Sequence, residues 1–163
     1  MTTATWVPSG DAVVIGSQDT KYSLAIWDLS GNLVYKFPED GIRVNDLAIS
    51  PDGSRLVVLL EARILVYDFQ TREKIGEWLL DDVKLSSVSI SRDCRHMLVS
   101  MIPNKVRLME IDTGEVVQRY QGQVQTQFII RSSFGGANES FVASGSEGMI
   151  SPVFWRNDPH FHH

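Results

Sequence analysis

Short apolar runs recur along the chain at a nearly constant interval. Leu24-Ala25-Ile26 ends on Trp27-Asp28, and Ile64-Leu65-Val66 ends on Tyr67-Asp68, 40 positions later. Val106-Arg107-Leu108 ends on Met109-Glu110 after a further 42, and Val153-Phe154 leads to Trp155 after 46 more. A second landmark keeps the same interval. Ser50-Pro51-Asp52-Gly53 has the composition of a tight turn, with Pro setting φ and Gly accepting a positive φ. Pro8-Ser9-Gly10-Asp11 precedes it by about one repeat, and Ser91-Arg92-Asp93-Cys94 follows it by 41.

A period of about 40–45 residues fits four short strands with their turns, the unit of a β-propeller blade. The pattern predicts strands 3–7, 12–17, 24–28 and 33–37 in the first unit, and 44–50, 55–60, 64–68 and 74–79 in the second. The third unit gives 85–91, 96–101, 106–111 and 116–120, and the fourth gives 126–132, 141–146 and a last strand at 153–155. Second strands such as Leu56-Val57-Val58-Leu59-Leu60 are apolar throughout, as in strands covered on both faces. No segment sustains a 3.6-residue period, so helix content is expected to be low. The expected fold is therefore all-β: a WD-type propeller of about four blades of four antiparallel strands. Its blades run 1–38, 39–80, 81–121 and 122–156, with a disordered tail at 157–163. The last blade lacks a strand, which implies an open arc whose ends expose apolar faces and invite self-association.

Trp27, Asp28, Tyr67 and Asp68 are the fold signature. The Trp-Asp pair is complete only at Trp27-Asp28, and the Gly-His dipeptide of ideal repeats is absent. The blades are therefore expected to rest on packing more than on buried polar networks.

The net charge of −5 argues against a phosphate backbone as partner. No apolar stretch approaches the roughly 20 residues of a membrane helix. The N-terminus lacks the charged segment and apolar run of a signal peptide. Cys94 is the single cysteine, which excludes an internal disulfide and points to a cytosolic or nuclear setting.

Several stretches together resemble a known family: Phe37-Pro38-Glu39-Asp40-Gly41-Ile42-Arg43, Tyr67-Asp68-Phe69, Ser91-Arg92-Asp93-Cys94 and, most specifically, residues 120–147. That last stretch holds Tyr120-Gln121-Gly122-Gln123-Val124-Gln125-Thr126-Gln127-Phe128, Ser133-Phe134-Gly135-Gly136 and Asn138-Glu139-Ser140-Phe141-Val142-Ala143-Ser144-Gly145-Ser146-Glu147. They are similar to the C-terminal propeller of the WD-repeat scaffold subunits of GID/CTLH E3 ubiquitin ligases. The resemblance implies a non-catalytic subunit that helps the complex assemble and present substrates to RING subunits carried elsewhere. The LisH and CTLH helices of that family have no counterpart here, nor do its closing blades. A generic WD-repeat adaptor and a truncated product without a role of its own are the alternatives.

Chemistry-bearing residues are few. His160, His162 and His163 beside Asp158 read as a frayed terminus, not a metal site. Gly135-Gly136 reads as a turn, since no helix or Lys-Ser/Thr pair follows it to hold a phosphate. Ser132, Ser133 and Ser144 have only His96 as an internal candidate base. A propeller enzyme would gather carboxylates or His from the first strands of several blades, and these offer only Asp46. No catalytic residue, cofactor or metal is therefore expected. Arg92 and Arg95 beside Cys94 would lower its pKa if they faced the thiol. Trp78, Tyr35 and Tyr120 on fourth strands either cover blade edges or anchor a partner.

Charge in phase with the repeat is the strongest lead. The loops leading into blades two and three carry Glu39-Asp40 and Asp81-Asp82, 42 apart, and the strand two–three loops carry Lys21, Arg63 and Lys105, each 42 from the next. These loops share one face of a propeller. Lys21, Glu39, Asp40, Arg63, Asp81, Asp82 and Lys105 are thus the candidate partner-binding residues, on a face of alternating acidic and basic patches, and the expected partners are other proteins.

Overall fold

The computed structural model describes residues 3–17, 21–39, 41–126, 128–148 and 152–156. Asp40 and the tail 157–163, with its histidines and Asp158, lie outside the described residues. Three four-stranded sheets and one three-stranded sheet follow one another along the chain. Blade one is β1 (Thr3–Trp6), β2 (Ala12–Gly16), β3 (Leu24–Asp28) and β4 (Leu33–Lys36). Blade two is β5 (Asp46–Ile49), β6 (Arg55–Leu59), β7 (Arg63–Asp68) and β8 (Lys74–Leu79). Blade three is β9 (Lys84–Ile90), β10 (His96–Ile102), β11 (Lys105–Glu110) and β12 (Val116–Tyr120). Blade four is β13 (Ser132–Gly135), β14 (Phe141–Ser144) and β15 (Val153–Trp155), with a 3₁₀ turn at Ala137–Glu139 joining its first two strands. All pairings are antiparallel, and β1, β5, β9 and β13 pack in succession as the innermost strands. Among the described residues no helix is long and apolar enough to cross a membrane.

The alternation of a strand explains why β6 is apolar at every position. Leu56 and Val58 pack toward blade one with Ile26, Phe37 and Leu65, while Val57 and Leu59 pack toward blade three with Val88, Met97 and Val99. Neighbouring residues thus bury on opposite faces, each contributing about 1.5–3 kcal/mol. A third, smaller cluster of Leu98, Val106, Leu108, Tyr120 and Val142 joins blades three and four. The cores lie between blades, so each blade is stable only against its neighbours.

The Trp-Asp position has a backbone role. Pairing of the third and fourth strands slips by a bulge at Ile26/Trp27, at Val66/Tyr67 and at Leu108/Met109. The acidic residue that follows holds the next turn. Asp28 accepts from the N–H groups of Ser30 and Asn32, and Asp68 from those of Gln70 and Thr71. These turns also need a positive φ, supplied by Gly31, Arg72 and Gly114. At Gly114 (φ 72) a Cβ would collide with the indole of Trp78, whereas at Gly31 (φ 83) it would meet open space. Gly114→Ala is therefore expected to cost about 1–3 kcal/mol, through backbone strain plus displacement of Trp78, and Gly31→Ala only about 1 kcal/mol. Urea-denaturation midpoints of the two variants check the difference.

Two expectations are corrected. The first strand of blade four is β13, not 126–132. Backbone donors of the preceding stretch are diverted to side chains: Gln125 N–H donates to Asn104, and those of Thr126 and Phe128 to the Glu147 carboxylate. Satisfied in this way, they make no ladder. Of the two readings of the fourth-strand aromatics, burial favours edge cover: Tyr120 is fully buried, and Tyr35 and Trp78 are partly buried. Buried polar networks are also substantial. The hydroxyl of Ser100 donates to Ser132 at 2.9 Å and that of Ser132 to Ser144 at 3.0 Å, while Ser87 and Ser89 donate to the carbonyls of Ile130 and Ser132. These serines stitch blade three to blade four where apolar packing is thinnest.

Candidate interaction face

Hydrogen bonds put the loops expected to share a face side by side. In blade two the carbonyls of Glu61 and Ala62, in the strand two–three loop, accept from the N–H groups of Leu85 and Leu80, on the segment leading into blade three. Val44 N–H likewise donates to the Ser17 carbonyl. The face carries a shallow groove of about 580 Å³ between Gly41-Ile42-Arg43 and Leu60-Glu61-Ala62-Arg63, edged by the exposed Leu79. Its walls mix apolar surface with charges of both signs.

Six of the seven candidates lie among the described residues, and they differ in exposure. Asp81 and Asp82 are exposed in the turn between β8 and β9, with Asp82 at φ 57. Arg63, first in β7, reaches out to Glu77 at 3.0 Å. Glu77 also pairs with Lys74 at 2.9 Å. Lys21 is exposed, its ammonium 5.2 Å from the Tyr22 ring centroid. Lys105 is exposed at the start of β11. Glu39 departs from the expected pattern. Its side chain is only 16% exposed, and it turns into the crevice between blades one and two, 3.8 Å from Lys74 and beside the Tyr67 hydroxyl. Burial, with the Glu39 carboxylate beside it, pushes the Tyr67 phenol far up. Asp81, the residue in the same phase one blade on, has Met109 where blade two has Tyr67, and it is exposed.

Two polar constellations escaped the sequence reading. Asp46 on β5 is 1% exposed and ties four blades together. Its carboxylate accepts from the Thr3 hydroxyl at 2.8 Å (blade one) and from the Val88 N–H at 3.1 Å (blade three). It also accepts from both terminal nitrogens of Arg131, just ahead of β13, at 3.1 and 3.2 Å. Asp46 had stood out only as an ionisable residue on a first strand; its partners are 43, 42 and 85 positions away. The second constellation clamps blade four. Arg156, whose side chain is 11% exposed, donates to Glu139 at 3.2 Å and to Asp93 at 3.1 Å. Its Nη2 lies 2.9 Å from His96 Nδ1, and its guanidinium stacks on Phe134 at 5.0 Å. Glu139 in turn accepts from the Arg92 N–H.

These networks occupy the residues whose chemistry was in question. His96 faces Asp93 and Arg156, and Ser132 and Ser144 belong to the interblade hydroxyl chain. The Cys94 thiol is pushed up, not down, by burial and by the neighbouring carboxylates of Asp52 and Asp93. The thiol lies 3.6 Å from the Arg92 carbonyl. Among the described residues no group of three or more His, Cys, Asp or Glu is placed to hold a metal ion.

No protein-family model matches the chain. Curated relatives do. The chain is 31% identical over 150 residues to GID complex subunit 7 of Schizosaccharomyces pombe, covering 87% of this chain and 29% of that protein. It is 35% identical over 156 residues to the WD repeat-containing protein 26 homolog of Arabidopsis thaliana (93% of this chain, 26% of that protein). It is 34% identical over 142 residues to the WD repeat-containing protein 26 homolog of Drosophila melanogaster (86% and 22%). The chain thus spans less than a third of the length of these relatives.

Proposed function

We propose that this chain, which belongs to the WD-repeat β-propeller family and resembles a GID-complex subunit, is a non-catalytic scaffold segment of a GID/CTLH-type ubiquitin ligase. In this reading it holds other proteins of the complex, or their substrates, against the face built by the strand two–three loops and the loops leading into the blades. The observation that carries it is the relation to GID complex subunit 7 along most of the chain. Blade geometry supports it: the candidate side chains sit on loops and strand ends held by hydrogen bonds to a rigid sheet. Work in the cytosol or nucleus accords with this role, as does self-association through blade edges.

The exposed Asp81-Asp82 pair is an acidic element of that face. Reversing Asp81 to Lys and replacing Asp82 by Asn, which tolerates the left-handed backbone there, removes the acidic charge without strain. D81K/D82N is expected to lower capture of co-expressed GID/CTLH subunits by about tenfold, as loss of complementary charge does, with thermal stability unchanged. Capture at the parental level would remove this face from the account. Failure of the parental chain to capture any such subunit would favour a WD-repeat adaptor for another assembly.

A further inference from the structure

Blades two and three place different charges at the same structural positions. In blade two Arg63 opens the third strand, Leu65 lies inside it, and Glu77 stands opposite Leu65 on the fourth strand. Glu77 neutralises Arg63 and Lys74. Forty-two residues on, these positions hold Lys105, Arg107 and Arg119. Arg107 and Arg119 are directly paired across β11 and β12. Like charges placed opposite one another in a ladder repel, and here the acid of blade two has been replaced by a third cation. Among the described residues no carboxylate lies within ion-pair distance of the three side chains. Burial, and then the Arg119 charge, lower the pKa of Arg107, the direction expected of a cation without a counter-ion.

The three cations line a concavity of about 230 Å³ with Val106, Tyr120 and Gln121. Arg107 is half-buried there, while Arg119 and Lys105 are exposed at its mouth. A partly desolvated guanidinium beside a second one is suited to charge-assisted, two-point bonding of a carboxylate. In a chain whose net charge is −5, so concentrated a positive site is not explained by overall composition.

We infer that the Lys105–Arg107–Arg119 concavity of blade three is a docking site for an acidic segment of a partner protein, one carrying two or more closely spaced carboxylates. This deepens the scaffold reading and rests on it. The occupant supplies the charge that Glu77 supplies within blade two. The small volume suits a few side chains of an extended peptide, with one carboxylate held between the two guanidiniums and a second by Lys105.

The test uses the purified chain and a fluorescein-labelled decapeptide of alternating Glu and Ser, read by anisotropy. Its Gln-for-Glu counterpart and a single-stranded oligonucleotide of equal charge are the comparisons. Binding of the Glu peptide is expected to weaken about tenfold or more in R107Q/R119Q and to fall with added salt. D81K/D82N should leave it unchanged, so that failure of this site and failure of the acidic face are distinguishable. Melting temperature separates loss of a site from loss of the fold: R119Q and R107Q/R119Q should melt no lower than the parent, because repulsion is relieved. Equal affinity for the Gln peptide, undiminished binding by R107Q/R119Q, or preference for the oligonucleotide would each overturn the inference.

Discussion

Asp46→Ala is expected to lose about 3–5 kcal/mol of stability, the cost of breaking a buried charged network from one side. The carboxylate is the common acceptor of Thr3, Val88 and Arg131, and it is almost wholly enclosed. Removing it leaves the Val88 N–H inside the core with no acceptor, a penalty of about 1–3 kcal/mol by itself. The Arg131 guanidinium, 65% exposed, regains water and adds less. Asp46→Asn keeps an oxygen acceptor and should lose about half as much. In a chain of this size the alanine variant should melt on the order of 10 °C lower. Differential scanning calorimetry of the two variants measures both quantities, and equal loss in both would show that charge, not hydrogen-bond acceptance, holds the site.

Arg156→Ala should cost about 2–4 kcal/mol, in the range of a mostly enclosed ion pair broken from one side. The guanidinium joins Glu139 of blade four to Asp93 of blade three and covers Phe134. Its loss loosens the junction with the smallest apolar cluster, so blade four is expected to open before the rest. A pH dependence accompanies this clamp. Burial pushes the Asp93 carboxyl up, but the Ser91 hydroxyl, the Arg95 N–H and His96 more than offset that and hold it well below its ordinary 3.8. A group depressed on folding stabilises the fold above its unfolded pKa and loses that contribution as pH falls through the folded value. Asp52, held at about 2 chiefly by the Ser50 hydroxyl, acts in the same direction. The parent should therefore lose stability from about pH 4 downward, measurable as a falling urea midpoint. A midpoint that rose on acidification would contradict the assignment of these carboxylates.

The arc of blades was legible because its signals are local. Each third strand is an apolar run that ends on Trp27-Asp28, Tyr67-Asp68 or Met109-Glu110, and the 1–2 turns of blades one and two carry their own Pro and Gly. What was illegible depends on neighbours distant in the chain. Phe128-Ile129-Ile130 has strand composition, yet Glu147, 19 positions from Phe128, takes the backbone donor a strand would use. Equal phase put Glu39 and Asp81 in one class, but Glu39 turns inward beside the Tyr67 hydroxyl while Asp81 stays exposed, and the position of Tyr67 is Met109 one blade on. Arg156 and Glu139 gave no repeat signal at all, because they belong to the three-stranded blade. The cationic pair of blade three left a trace that could have been read: Arg107 interrupts an apolar strand at the position where blade two has Leu65.

Four blades form one cooperative body held from its innermost strands. Residue-resolved native-state hydrogen exchange tests it most directly. Amides of β1, β5, β9 and β13 should open with one common free energy in the parent chain, and Asp46→Ala should lower that energy in all four strands together. Loss of protection confined to β5 and Val88, with β1 and β13 exchanging as in the parent, would contradict it.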